Sequence, residues 1–147
     1  MNSETVEQIR SFNRFYTVYM GLLNSGYLSP KYSILQSRTL FELRNQDGIR
    51  QSDLVRILHV DKSYLSRTIK QFEKNGLVQR IPSLEDRRAA TLKLTEKGTQ
   101  EADAQIQRAN VSIGGQIVHM SATDQKKLCR AMETIMELLQ KGDKATD

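Results

Sequence analysis

Cysteines and long apolar runs are scarce in this chain of 147 residues, and their scarcity excludes several classes of protein. The single cysteine cannot form an internal disulfide, which is typical of proteins kept in a reducing cytoplasm. No apolar stretch approaches the roughly 20 residues that a membrane-spanning helix needs. The first residues also lack the basic and then apolar pattern of a secretory signal. We therefore predict a cytoplasmic location and no membrane association.

Residues suited to catalysis or metal binding are equally sparse. The two histidines, His59 and His119, lie far apart, and neither stands at a metal-ligand spacing from Cys129. No glycine-rich phosphate loop follows a strand pattern, and no nucleophile elbow is present. These absences predict no catalytic residues, no metal site and no cofactor. An enzyme whose catalytic residues are dispersed in the sequence is the disfavoured alternative.

The most informative segment is residues 61–75. Read as a helix, it places Leu65, Ile69 and Phe72 on one apolar stripe. Asp61 is suited to cap its amino end, and Gly76 is suited to the left-handed conformation that ends many helices. The opposite face carries basic and hydroxyl-bearing side chains: Ser63, Arg67, Lys70 and Lys74.

A second apolar-periodic segment, with Leu54, Ile57 and Leu58, precedes this helix. The dipeptide His59-Val60 separates the two segments and predicts a tight turn between them. Two helices joined by a tight turn, the second with a basic outer face, are the layout of a helix-turn-helix DNA reader. The sequence therefore predicts a helix-turn-helix unit.

The distribution of charge supports this prediction independently. Between Arg50 and Lys97 there are eleven basic and six acidic residues, so this segment carries a net charge of +5, equal to that of the whole chain. Cations that neutralise phosphates release counterions and supply much of the non-specific affinity for DNA. A basic surface can also serve solubility alone. Its confinement to the helix-turn-helix segment favours nucleic acid as the partner.

Two short strand patterns follow, at residues 77–81 and 89–94, with turn-forming residues between them. Folded back on each other, they predict a β-ribbon, or wing, beside the second helix. The tip of this ribbon carries Asp86, Arg87 and Arg88, and an arginine on a thin ribbon fits the narrow minor groove. Because the charge of Asp86 repels phosphate, we predict that it holds Arg88 in place through a paired contact.

At this point the chain resembles the MarR (multiple antibiotic resistance regulator) family of winged-helix transcription factors. The matching motifs cover about half of the chain, and their order makes the set specific. They are Ser52-Asp-Leu-Val in the first helix of the unit, Tyr64-Leu-Ser-Arg67 and Phe72-Glu-Lys-Asn-Gly-Leu77 in the second, and Asp86-Arg-Arg88 and Leu92-Lys-Leu-Thr-Glu-Lys-Gly98 in the wing. The last two are similar to the family's D-x-R and L-x-L-T-x-x-G signatures.

The resemblance implies that the second helix of the unit enters the major groove of double-stranded DNA. It also implies that Arg88 is the residue at the wing tip that enters the minor groove and that Asp86 is its positioning partner. The candidate DNA-contacting residues are Lys62, Ser63, Tyr64, Ser66, Arg67, Lys70, Arg87 and Arg88.

The two ends of the chain carry more apolar surface than peripheral helices of one small domain need. Apolar residues recur at helical spacing from Ile9 to Leu23, and again from Leu128 to Leu139. Between them, residues 96–119 form a mostly polar helix pattern that Gly114-Gly115 interrupts. The terminal helices could pack onto the reader or onto a second copy of the chain. Because pairing two half-sites about one helical turn apart raises affinity, we favour a homodimer, as the resemblance also implies.

Tyrosines cluster in the first helix and the loop after it, at Tyr16, Tyr19, Tyr27 and Tyr32. A tyrosine offers an apolar face and one hydroxyl, which suits a pocket that buries and orients a small aromatic effector. Packing in the core or the dimer interface is the favoured interpretation, and the effector pocket is the alternative. For Cys129, which borders the apolar stripe of the last helix, packing is favoured over redox sensing.

We therefore predict a mainly α fold with a small β-wing, namely a winged helix-turn-helix domain plus terminal dimerisation helices. One domain would span residues 1–147, with the reader at about 34–98 and dimerisation helices at about 3–24 and 99–141. The predicted function is a cytoplasmic, homodimeric transcriptional regulator, a repressor rather than an activator, that binds an inverted repeat. The alternative is a winged-helix architectural or partner-binding protein without sequence-specific readout.

Overall fold

The computed structural model describes residues 2–23, 28–86 and 89–143. Its elements are helices α1 (Ser3–Tyr19), α2 (Ile34–Asn45), α3 (Gln51–Leu58) and α4 (Lys62–Lys74), strands β1 (Val78–Ile81) and β2 (Thr91–Leu94), and helices α5 (Glu96–Ile117) and α6 (Ala122–Asp143). The chain divides into two compact units, Met1–Ala109 and Asn110–Asp147. This mainly α architecture with one β-ribbon confirms the predicted fold class.

The helices of the reader begin where side chains satisfy their first backbone donors. The Asp61 carboxylate accepts the N–H of Tyr64 at 3.0 Å, as predicted for the start of α4. At α2, Ser33 and Gln36 form a reciprocal capping box, in which each side chain accepts the backbone N–H of the other residue. Helix α4 ends before Gly76, whose φ of +72° confirms the predicted left-handed stop.

Two predicted boundaries were wrong. Helix α1 ends at Tyr19 and not near residue 24, because Gly21 adopts a φ of +71° that a right-handed helix does not contain. Helix α5 continues through Gly114 and Gly115 to Ile117. Exposed glycines weaken a helix by about 1 kcal/mol each, which neighbouring helical residues can offset without a break.

The core of the reader is built from the predicted apolar stripes. Leu54 of α3 and Leu65, Ile69 and Phe72 of α4 are at most 1% exposed. They pack with side chains of α2, of the strands and of the residue just before β1: Leu40, Leu43, Leu77, Val78, Leu92 and Leu94. Burial of each such side chain contributes roughly 1.5–3 kcal/mol to stability. This energy fixes which face of α4 points into the core, and the opposite face therefore points to solvent.

The wing (residues 78–94) is an antiparallel ribbon in which Val78 pairs with Leu94 and Ile81 with Thr91. Ile49 pairs with Leu92 on the other side of β2, through backbone hydrogen bonds of 2.7 and 3.3 Å. The base of the wing is therefore fixed to the segment between α2 and α3.

The segment after α4 is joined to the start of α5 by hydrogen bonds of Thr95, whose backbone N–H donates to the Leu77 carbonyl at 2.9 Å. Thr95 Oγ1 donates to the Gly76 carbonyl at 2.6 Å and accepts the N–H of Gly98 at 3.0 Å, so Thr95 caps the start of α5. A Cβ atom on Gly98 would stand 1.9 Å from the carbonyl oxygen of Leu77, so only glycine fits here.

Helices α1 and α6 differ from the reader, because neither contributes a buried side chain among the described residues. Helix α6 begins after a capping residue, Ser121, whose Oγ accepts the N–H of Asp124 at 3.1 Å. The exposed apolar side chains of these two helices are Ile9, Phe12, Phe15 and Val18 on α1 and Ile135, Met136, Leu138 and Leu139 on α6.

Candidate nucleic-acid interface

The outer face of α4 is the surface on which the predicted DNA contacts converge. Lys62, Ser63, Tyr64, Arg67 and Lys70 are exposed along this face, and Ser66 is half-buried beside them. The buried stripe described above fixes the rotation of the helix, so the basic and hydroxyl-bearing groups must face outward. The structure thus brings all six predicted α4 residues onto one side of the reader.

Tyr64 and Arg67 are neighbours on this face. The guanidinium carbon of Arg67 lies 5.8 Å from the centre of the Tyr64 ring, a geometry that allows a cation–π contact. An arginine held over an aromatic ring loses less rotamer freedom when it binds a base or phosphate. The sequence showed both residues on this face but not their contact.

The turn between α3 and α4 depends on a left-handed residue that the sequence pattern did not reveal. His59 has φ 50° and ψ 46°, and it is the one non-glycine residue with positive φ in the described part of the chain. Histidine tolerates this region better than β-branched residues do. The conformation lets α3 end and α4 start within three residues.

At the wing tip, Ser83 organises the backbone. Its Oγ accepts the N–H groups of Glu85 at 3.3 Å and Asp86 at 3.4 Å, and the Asp86 carbonyl accepts the N–H of Ala89 at 3.0 Å. Arg87 and Arg88 lie outside the described residues. The predicted pairing of Asp86 with Arg88 therefore stays a prediction.

Arg80 is a polar residue of the reader that the sequence analysis missed. From β1, it forms an ion pair with Glu73 of α4 and donates to Gln51 Oε1 of α3 at 3.0 Å. With Arg50 and Lys62, it also lines a cleft of about 400 Å³. No spacing rule joins these residues, because their proximity arises from the way the wing folds against the two helices.

A second polar cluster joins the segment before α2 to α5. The Glu101 carboxylate accepts from Lys31 Nζ at 2.7 Å and from the Tyr32 hydroxyl at 3.0 Å. The Lys31 ammonium lowers the pKa of Glu101. Burial and the neighbouring Glu101 carboxylate raise the pKa of Tyr32. Nearby, the buried Ser37 hydroxyl donates to Gln105 of α5 at 3.3 Å.

The predicted effector-pocket tyrosines lie in two environments. Tyr16 and Tyr19 are half-buried on α1, and their ring centres are 6.2 Å apart. Tyr32 is 7% exposed in the core of the reader, where its ring meets that of Phe72 edge-on at 6.3 Å. Tyr27 lies outside the described residues. The described geometry thus gives Tyr32 a packing role.

Three further predictions concern metals, membranes and Cys129. Within the described residues, no group of three or more His, Cys, Asp or Glu side chains is placed to hold a metal ion. In the same part of the chain, no helix has both the length and the apolarity to cross a membrane. Cys129 is exposed on α6 and not packed inside its own chain.

Comparison with known proteins identifies the family. Residues 33–90 match the family model described as MarR family. The organic hydroperoxide resistance transcriptional regulator of Bacillus subtilis is 33% identical over 133 residues, which cover 88% of this chain and 82% of that protein. The chain belongs to the MarR family. The resemblance seen in the sequence motifs is therefore confirmed.

Two other relatives match over a smaller part of their length. The HTH-type transcriptional repressor NicR of Pseudomonas putida is 26% identical over 104 residues, 70% of this chain and 66% of NicR. The uncharacterised HTH-type regulator YdgJ of Bacillus subtilis is 30% identical over 97 residues, 65% of this chain but 59% of YdgJ. The chain thus matches less than two thirds of the length of these two regulators.

Solved structures show the same MarR fold. Apo MarR from Escherichia coli superposes with a TM-score of 0.71 at 24% identity, covering 86% of this chain and 94% of that one. A MarR-family regulator from Listeria monocytogenes, solved with a 26mer DNA, superposes with a TM-score of 0.72 at 24% identity, covering 89% and 87%.

Proposed function

We propose that this MarR-family protein is a sequence-specific DNA-binding transcriptional regulator that represses genes next to an inverted-repeat operator. The observation that carries the proposal is the outer face of α4, where basic and hydroxyl-bearing groups stand over a fully buried apolar stripe. The relatives support it, since NicR is named a repressor and the Listeria regulator was solved with DNA. The proposal includes a cytoplasmic location and no catalytic activity.

In this proposal, α4 lies in the major groove and reads base edges. Arg67 and Lys70 suit guanine, whose N7 and O6 atoms accept hydrogen bonds from a long basic side chain. Lys62 and Ser63, at the start of the helix, suit backbone phosphates, because the amino end of a helix attracts anions. Arg87 and Arg88 would enter the adjacent minor groove from the wing.

The functional form would be a homodimer built from the terminal helices. Phe15 and Val18 of α1 are 63% and 66% exposed, and Leu138 and Leu139 of α6 are 62% and 66% exposed. Large apolar side chains that are exposed at helical spacing, as on each of these two helices, are suited to an association site. A twofold dimer presents two copies of α4 to half-sites about one helical turn apart, which an inverted repeat requires. Analytical ultracentrifugation of the protein and of a Phe15→Asp variant tests this arrangement.

The decisive experiment compares a duplex selected from a random pool with an unrelated duplex of equal length. Binding is measured over a series of salt concentrations, because phosphate contacts alone give a steep salt dependence without preference. A regulator should prefer the selected duplex by about 10³-fold or more. Equal affinity for both duplexes would instead support the architectural alternative. In vitro transcription from a promoter that contains the selected site then separates repression from activation.

An aromatic effector is proposed as the signal that relieves repression. Tyr16 and Tyr19 provide half-buried rings, whereas the hydroxyl of Tyr32 already donates to Glu101, so a ligand there must replace that contact. A tenfold loss of DNA affinity needs about 1.4 kcal/mol of coupling between the two sites. A thermal-shift and DNA-release screen of aromatic acids tests this part. Failure of every compound to stabilise the protein would count against an effector.

A further inference from the structure

We infer that Arg80 is a positioning residue that fixes the wing against both helices of the helix-turn-helix unit. This inference rests on the proposed function, because it concerns how minor-groove and major-groove reading are kept in register. Without Arg80, the wing would lose its defined angle to α4. Discrimination at the flanks of the operator would then fall, whereas discrimination at the centre of each half-site would persist.

The geometry places one guanidinium among three elements. Arg80 lies on β1 and pairs with the carboxylate of Glu73 in the last turn of α4. Its Nη2 atom donates at 3.0 Å to the side-chain oxygen of Gln51, the first residue of α3. The planar guanidinium can bind two acceptors in fixed directions, whereas a lysine ammonium is a single flexible point charge.

In the Arg80–Glu73 pair, neither side chain is more than half exposed. The side chains of Arg80 and Glu73 are 39% and 32% exposed. In each of the other ion pairs of the described residues, at least one side chain is more than half exposed. Partly shielded charges are less screened by water and salt than exposed ones. The Arg80–Glu73 contact is therefore well suited to define an angle.

The position of Arg80 along the ribbon allows its contact with Glu73 to control where the wing tip lies. Arg80 pairs with Leu92, and the next pair, Ile81 with Thr91, is the last of the ladder before the tip. A shift at this end of the ladder is carried directly to the tip, where the predicted minor-groove residues lie. The opposite strand offers a matched control, because Lys93 of β2 forms its ion pair with Asp47, in the segment between α2 and α3, at 3.1 Å.

The competing interpretation is a direct phosphate contact by Arg80, since it lines the same cleft as Arg50 and Lys62. The two roles predict different effects of a Glu73 substitution on DNA affinity. For a positioning residue, Glu73→Gln removes the anchor and should reproduce the effect of Arg80→Ala. For a phosphate contact, Glu73→Gln releases the cation and removes a nearby negative charge, so affinity should rise.

The experiment compares Arg80→Ala, Arg80→Lys, Glu73→Gln, the Arg80→Ala/Glu73→Gln double variant and the control Lys93→Ala. Affinity is measured for one selected operator with A·T-rich or G·C-rich flanks, and the ratio of the two affinities is the readout. We expect Arg80→Ala and Glu73→Gln each to lower this ratio about threefold, as for a partly shielded ion pair. The double variant should be no worse than either single one, because both substitutions break the same contact. Lys93→Ala should leave the ratio unchanged.

Amide hydrogen exchange of the wing in the DNA-free variants provides a readout that does not need an operator. Exchange should accelerate in β1 and β2 of Arg80→Ala and Glu73→Gln relative to Lys93→Ala. If wild-type protein shows no preference for any duplex, the proposed function fails, whereas the exchange data still decide whether Arg80 anchors the wing. A uniform loss of affinity with a salt slope reduced by about 1, or an unchanged flank ratio in Glu73→Gln, would overturn the positioning role.

Discussion

Phe72 and Phe15 occupy helices with similar apolar periodicity, yet Phe72 is 1% exposed and Phe15 is 63% exposed. In the reader, the stripe of α4 meets α2, α3 and the strands of its own chain. On α1 and α6, the corresponding stripes bury no side chain among the described residues. Apolar periodicity therefore shows which face of a helix needs a partner but not which chain provides it.

The two regions therefore differ in what holds them together. The reader has a core of its own, so its stability should not depend on protein concentration. The terminal helices carry apolar side chains that gain roughly 25 cal/mol per Å² only when something covers them. Their stability should depend on a second copy and hence on concentration.

The largest expected effect is on the free energy of unfolding, and it should differ between the reader and the terminal helices. Phe72→Ala should lower the free energy of unfolding of the reader by about 3–5 kcal/mol, because it leaves a cavity among fixed neighbours. Phe15→Ala should leave the unfolding of the dilute protein unchanged and weaken association instead. Urea denaturation at two protein concentrations measures both. A concentration-independent loss of stability in Phe15→Ala would show that α1 packs on its own chain.

Arg67→Ala tests the reader at its surface and should affect binding without affecting folding. Its loss opens no cavity, since the side chain faces away from the buried stripe. A lost base contact should cost about 1–3 kcal/mol of DNA-binding free energy and relax the preference at one base pair. Competition binding with single-base variants of the operator measures this. Equal weakening on every sequence would identify Arg67 as a phosphate contact.

The helix caps of α4 and α1 should differ in the same way, with a smaller effect on stability. Asp61 caps α4 and Asn2 caps α1, each by accepting a backbone N–H at 3.0 Å. Asp61→Ala should cost about 1 kcal/mol of global stability, because α4 is part of the cooperative core. Asn2→Ala should have little effect on global unfolding and appear only as faster amide exchange in the first turn of α1. Equal global costs would contradict the division into two kinds of region.

The smallest expected effect is at Glu101, whose pKa is lowered by Lys31. A carboxylate with a lowered folded-state pKa stabilises the protein above its usual value of 4.5, and this contribution disappears as pH falls through the folded-state value. Because Lys31 is exposed, the gain should be about 0.2–1 kcal/mol. Glu101→Gln should therefore lower Tm near neutral pH and converge with wild type in acid. Asp103→Asn, which breaks the more exposed ion pair with Arg44, is the control. If the difference in Tm between Glu101→Gln and wild type persisted in acid, the stabilisation would not come from the ionised Glu101 carboxylate.

The sequence could predict the features that depend on residues close together in the chain, such as the buried face of a helix and its caps. Spacing alone placed Leu65, Ile69 and Phe72 inside, and the caps at Asp61 and Thr95 follow from residue type. The contact of Arg80 with Glu73 could not be predicted, because it depends on how a ribbon folds back on two helices. The early end of α1 at Tyr19 and the left-handed His59 depend on individual backbone conformations that apolar periodicity does not specify.

Gly98 has a consequence for how motion could pass through the protein. The backbone of α5 lies so close to Leu77 that no side-chain atom fits between them, and side chains are the parts of a protein that absorb small displacements by changing rotamer. A joint made of backbone against backbone has no such compliance. A rotation of the first turns of α5 would therefore displace the segment at the end of α4 as well, because no side chain lies between them to absorb the movement. A bulkier residue at position 98 would strain this contact and shift α5 relative to the end of α4.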